Sequence, residues 1–140
     1  MQLDEVVRRF HQTMNDFAKG DPEPAKAIFS HGEDGSLANP WGPPVVGWDR
    51  VSKALDSAAA RFKDGRVTAV DALTRHVTTD LAVFLDIEHW QAKLGGGDEL
   101  SQFDLRVTSV YRLEGDTWAL VHRHADPVIA PRPPDAVLHN

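Results

Sequence analysis

The stretch YRLEGDTWALVHRHADP, Tyr111 to Pro127, reads as two strands folded back on each other. Its centre, EGDT (residues 114–117), offers a glycine for the positive φ of a tight hairpin and an aspartate able to bond its own backbone. That turn sets Leu113 opposite Trp118. The pairing then continues as Tyr111 with Leu120, Ser109 with His122, Val107 with His124, and Leu105 with Asp126. Strand side chains alternate between faces, so the register divides the hairpin in two. One face is large and apolar and ends in His122, His124 and Asp126. The other carries Arg106, Thr108, Val110, Arg112, Val121 and Arg123. The first is expected to meet helices, the second water or another subunit.

Working back from the hairpin, Leu81–Leu94 and Arg66–Thr78 are rich in Val, Thr and aromatics and predict two further long strands. GGGDE (95–99) is the turn that leads into Leu100–Leu113. The N-terminal half changes period. Leu3, Val6, Val7, Phe10, Met14 and Phe17 recur at helical spacing, and a short second helix is expected from Asp21-Pro22 to Phe29. A third helix follows Gly47-Trp48, with Asp49 as N-cap, Val51, Leu55, Ala58, Ala59 and Phe62 on its buried face, and KDGR as its end. Between them SHGEDG is a turn and Leu37–Trp41 a short strand. Helices followed by an antiparallel meander predict an α+β fold: a curved, cone-shaped, mainly antiparallel sheet with three N-terminal helices on its concave face. One domain is expected over residues 1–127, with a proline-rich arm or tail over 128–140.

Composition narrows the functional classes. The 140 residues carry a net charge of −6, which opposes nucleic acid or an anionic membrane as partner. Zero cysteines exclude disulfides, thiolate nucleophiles and zinc–thiolate sites. There is no long apolar run, and the start MQLDEVVRRF has no apolar signal core, so a cytoplasmic location is expected. No phosphate loop, nucleophile elbow or dinucleotide fingerprint is present.

The order of elements, together with NPWG (39–42), GWDRV (47–51) and the closing YRLEGDTWALVHRHADP, resembles the nuclear transport factor 2-like superfamily, which includes ketosteroid isomerase and the SnoaL-like polyketide cyclases. The resemblance covers roughly residues 3–127 and implies a pocket inside the cone and a homodimer through the sheet face bearing Arg106, Arg112 and Arg123. It does not carry the isomerase's chemistry. Asn39 stands where that enzyme has its proton-shuttling Asp, and an amide cannot shuttle protons at neutral pH. The oxyanion donors, a tyrosine and a protonated Asp, are matched by Phe10 (or Thr13) and Ser109.

The residues leave several readings open. His122 and His124, at i and i+2 on one strand face, are candidates for a general base, with Asp126 holding the tautomer of His124 and Asn39 or His122 steadying an oxyanion. The alternative reading has the histidines only lining the cavity and Asn39 only satisfying the backbone before Pro40. A metal on the His pair would need a third ligand from Glu88, Asp86 or His31, none at diagnostic spacing, and no metal or other cofactor is expected. In FLDIEHW (84–90), Phe84, Asp86, Glu88 and Trp90 share a face that is either a raised-pKa pair in a cavity or, as favoured here, solvated or subunit-facing. His11, His76 and His139 carry no pattern. The expected pocket lining is Phe10, Met14, Phe17, Trp41, Phe62, Val107, Ser109, Tyr111 and Leu120, suited to a small, flat, hydrophobic molecule. Two functions remain: an acid/base isomerase, cyclase, dehydratase or hydrolase on a polyketide-, terpene- or steroid-like substrate, or a non-catalytic ligand-binding or dimerisation module.

Overall fold

The computed structural model describes residues 1–138; His139 and Asn140, the end of the proline-rich arm, lie outside the described residues. The chain runs α1 (Leu3–Phe17), α2 (Glu23–Lys26), β1 (Ser36–Ala38), β2 (Val45–Val46), α3 (Trp48–Ala59), β3 (Phe62–Val77), β4 (Leu81–Leu94), β5 (Leu100–Glu114) and β6 (Thr117–Asp126), then a short 3₁₀ turn at Pro134–Val137. The strands form one six-stranded sheet in the order β2-β1-β6-β5-β4-β3, antiparallel except where β1 runs parallel to β6. This is the expected α+β cone, with the helices on its concave side. Among the described residues no helix is long and apolar enough to cross a membrane.

Sequence periodicity explains the long elements. Leu3, Val6, Phe10, Met14 and Phe17 put one buried stripe on α1, while Asp4 and Glu5 sit in its first turn, where the helix dipole favours negative charge. Two expectations around α3 are corrected. Gly47, at φ 94°, occupies the cap position without a side-chain cap, and Asp49 falls inside the first turn. Phe62 opens β3 instead of closing the helix, because there its ring packs against Phe17, Trp90 and Phe103. KDGR therefore lies within β3. Gly65 crosses so close to α1 and β4 that a Cβ would fall 2.5 Å from that of Ala92 and 2.9 Å from the Ala18 carbonyl. Only glycine fits this crossing.

The last hairpin departs from the expected register at one residue. Leu113 pairs with Trp118 and Tyr111 with Leu120, but Val110 then pairs with His122, leaving Val121 as a bulge. The partner on the other edge of β6 changes at the same place. Ser30 donates to the Leu120 carbonyl at 2.8 Å and Leu120 donates to that of Ile28 at 2.9 Å, whereas β1 pairs with His122–His124. Beyond the bulge every side chain is reversed. Arg123 and Ala125 point into the cone, while His122, His124 and Asp126 lie on the outer face.

The reversal gives the core a charge. Arg123 forms two parallel hydrogen bonds to Glu88, Nη1 to Oε2 at 2.8 Å and Nη2 to Oε1 at 2.7 Å, and both side chains are buried. Trp90 Nε1 donates to the same carboxylate at 3.0 Å, and the Phe10 ring lies 5.4 Å from the guanidinium carbon. Burial pushes the Glu88 carboxyl upward, but the charge and hydrogen bonds of Arg123, with the Trp90 donor, outweigh it and hold the group below its usual value. Phe84, Asp86, Glu88 and Trp90 are thus the inner row of β4. Val83, Leu85 and Ile87 are the half-buried outer row, the opposite of the solvated assignment favoured from sequence. On that outer face His89 bridges Asp71 and Asp104 at 2.7 and 2.6 Å, tying β3, β4 and β5 together.

Removing one member of the pair should strand the other. Arg123→Met is expected to cost about 3–5 kcal/mol at neutral pH, while Arg123→Met with Glu88→Leu recovers most of that loss. Urea denaturation of the single and double variants measures it, and equal destabilisation by both would contradict the pairing.

Candidate functional site

Two regions on the concave side differ in chemistry. The first lies at the aromatic end. Phe10, Met14, Phe17, Trp41 and Phe62 come together there around a cavity of only about 40 Å³, room for little more than ordered water. Val107, Ser109, Tyr111 and Leu120 are packed into the core and do not reach its wall. Asn39 does reach it, and its Oδ1 accepts the Trp41 N–H at 3.0 Å, so it closes the turn at Pro40. Trp41 is 40% exposed and stands at the rim, under the Arg61 guanidinium at 5.0 Å.

His122, His124 and Asp126 lie on the other side of the sheet. The expected neighbourhood of His124 and Asp126 exists, with Nε2 to Oδ2 at 3.4 Å. It sits on the convex surface, where Asp126 also accepts from Arg106 at 2.7 Å and from the Val128 N–H at 2.9 Å. His122 accepts or donates to Ser36 Oγ at 2.8 Å between β6 and β1. The bulge at Val121 is the physical reason for their displacement from the concave side. His31, considered as a third metal ligand, stacks on Trp48 at 3.8 Å and contacts the Lys26 carbonyl at 2.9 Å.

The second space opens between α1 and the far half of β3. Its inner part, a chamber of about 290 Å³ open to solvent along Ala72–Arg75, has walls of Val7, Leu73 and Phe84, and Asp86 and His11 among its lining. Asp86 lies on the inner row of β4, one alternation from Glu88 and opposite Val107 of β5. Among the described residues nothing donates a hydrogen bond to its carboxylate; its nearest ionisable contact is His11 Nε2, 3.9 Å from Oδ2 and beyond hydrogen-bond range. Burial, with the negative charge of Glu88, raises its pKa from the usual 3.8 to about 6, against the opposing pull of Arg123 and Arg75. Burial lowers the His11 pKa, so its ring is neutral at pH 7. At neutral pH the chamber therefore presents a poorly solvated carboxylate beside a neutral imidazole. Tyr111, on the inner row of β5, has its phenol pushed above the usual range by burial and stays protonated.

Asp86 was visible in the sequence as one carboxylate of a pair. What the pattern did not show is that the other, Glu88, is taken by an arginine turned inward by a bulge. His11 was passed over as carrying no pattern, although it lies four residues after Val7, on the flank of the apolar stripe.

A curved sheet wrapped around a partly hollow concave side, with three helices on it, defines the nuclear transport factor 2-like class. Within it the chain belongs to the SnoaL-like domain family, whose sequence profile matches residues 4–130. Among solved structures, it resembles a nuclear transport factor 2-like superfamily protein from Salmonella enterica serovar Typhimurium, with 20% identity, 88% of this chain and 86% of the other covered, and a TM-score of 0.73. It also resembles a ketosteroid isomerase-like protein from Erwinia carotovora atroseptica, with 15% identity, 92% and 95% covered, and a TM-score of 0.73. No protein of curated function matches the chain significantly. These likenesses extend to the fold.

The raised carboxyl has a measurable cost. Asp86 is protonated more readily folded than unfolded, so its unfavourable contribution is absent below pH 4 and grows as pH rises from about 4 to about 6. Asp86→Asn is therefore expected to stabilise the protein at pH 8 by up to about 3 kcal/mol, with the gain vanishing near pH 3.5. Thermal or urea unfolding across that range measures it, and a gain independent of pH would contradict the assignment.

Proposed function

We propose that the chain is an acid/base catalyst whose own side chains move a proton on a small apolar substrate bearing an acidic C–H. The observation that supports this is Asp86: a buried carboxylate without a hydrogen-bond donor, lining a cavity, with a pKa of about 6 and a neutral imidazole 3.9 Å away. A general base works best when its pKa lies near the working pH, and the lack of donors leaves both Asp86 oxygens available. With its proton on Nε2, His11 can donate to the oxygen on which charge develops as the C–H proton leaves. Glu88 cannot share this role, because Arg123 and Trp90 engage its two oxygens. Proton transfer thus belongs to the α1–β4 side of the cone and not to His124. Isomerisations, dehydrations and cyclisations that pass through an enolate begin with such a step.

The test is solvent deuterium exchange. Enolisable ketones of one-ring size are incubated with the protein in D₂O, and incorporation is read by mass spectrometry. Protein-dependent exchange is expected, rising with pH through a half-maximum at about pH 6 to a plateau above it, and falling about 100- to 10,000-fold in Asp86→Asn. Exchange unaffected by that substitution, or none above buffer, would remove the reading and favour the non-catalytic binding module.

We also propose that two copies pair through the outer sheet face, where Val83, Leu85, Ile87 and Val110 are half-buried and, among the described residues, no helix packs over them. Arg106 and Arg112 lie on this face, held by Asp126 and Asp34 at 2.7 Å each, whereas Arg123 is inside the cone. Sedimentation equilibrium should find a dimer that Leu85→Asp dissociates; a monomeric wild-type chain at micromolar concentration would end this proposal.

A further inference from the structure

We infer that the small molecule taken by the chamber is an organic acid, with its carboxylate held by Arg75 at the mouth and its apolar body lodged beside Phe84. This rests on the reading of the chamber as the reaction site and adds the substrate class.

The chamber adjoins an outer space of about 500 Å³, and the two share Val7, His11 and Arg75 in their walls. Their chemistry differs. The inner wall sets Phe84 and Leu73 beside Asp86, whereas the outer one adds Arg8, Gln12 and Asn15 to Val67, Ala69 and Val70. Arg75 stands at the junction, opposite Phe84 in the β3–β4 register, with its guanidinium 4.6 Å above that ring. The guanidinium lies over the ring face as a cation, and its planar fork presents parallel N–H groups suited to a carboxylate.

Arg75 already shows this preference. Its Nη2 lies 2.8 Å from Asp4 Oδ1, but the two side chains are 52% and 78% exposed. An ion pair so open to water is weak and readily exchanged for a ligand carboxylate in the same place. Asp4 is the one carboxylate in the outer wall, against two arginines, Arg8 and Arg75, so this patch is cationic on a chain of net charge −6. Asp86 sets the orientation. An anionic group placed beside it would meet like charge in a poorly solvated site, so the acid group belongs at the arginine end and the reacting carbon inside. The inner volume is near the lower limit for small-molecule pockets, which suits a single ring or a short chain.

The experiment titrates 4-phenylbutyrate and, separately, its neutral amide into the full-length protein by calorimetry or NMR. Four forms are compared: wild type, Arg75→Met, Arg75→Lys and Asp86→Asn. The acid is expected to bind wild type at least about tenfold more tightly than the amide, a preference that shrinks as salt is raised. Arg75→Met should abolish the preference by weakening the acid alone, Arg75→Lys should keep part of it, and Asp86→Asn, which removes the like charge inside, should bind the acid at least as tightly as wild type. Equal affinities in wild type, no binding of the acid at about 10 mM, or a preference that survives Arg75→Met would overturn the inference. Failure here is separable from failure of the proton-transfer reading. Deuterium exchange on neutral ketones without acid preference removes only the substrate class; acid preference without exchange removes only the catalysis.

Discussion

The contact between Arg123 and Glu88 organises the concave side of this protein. A buried ion pair is favourable only when the remaining donors and acceptors are satisfied, and here both carboxylate oxygens receive a guanidinium nitrogen while Trp90 supplies a further donor. Its requirements reach into distant parts of the chain. β6 must turn an arginine inward, which demands the bulge at Val121, and β4 must present a glutamate two residues before a tryptophan. α1 must bring Phe10 over the guanidinium. Once these are met, Glu88 is committed to structure. Asp86, two residues away on the same row, is left without an equivalent partner, and its unusual ionisation follows from that inequality.

The same helices close one end of the cone and leave the other open. Phe17, Phe62, Trp90 and Phe103 stack near the start of β3 and fill most of the space there. Gly65 brings that part of the strand hard against α1. Further on, Asp71 to Val77 are all exposed, and α1 reaches them through the Asp4–Arg75 contact without covering them. The chamber is the gap that results. Its apolar walls come from α1, β3 and β4 together, Val7, Leu73 and Phe84, and its two arginines from α1 and β3.

How far this could be read from sequence depended on the kind of information each feature needs. The α1 stripe and the limits of β4 are statements about periodicity, and Leu3–Phe17 and Leu81–Leu94 came out as read. The turn at Gly115 and the first pairs of the last hairpin were legible for the same reason. The face of β4 was not. In FLDIEHW both rows contain residues that can be buried, and the choice between them depends on whether a cation waits inside. That cation is Arg123, whose direction is set by an extra residue that leaves no mark on composition. Val121, flanked by Leu120, looks like ordinary strand sequence. Phe62 was misplaced for a related reason, since the helical spacing from Ala58 and Ala59 is also compatible with a strand start, and only contacts with Trp90 and Phe103 separate the two.

The extra residue at Val121 also bears on how positions correspond between this chain and its kin. If a relative has a regular β6, a gap-free alignment through WALVHRHAD would equate His122 and His124 with side chains of the opposite orientation. Roles inherited along such an alignment would move from the inside of one protein to the outside of the other. A single gap placed at residue 121 restores the correspondence, so that Arg123 and Ala125 become the equivalents of the inward-facing positions.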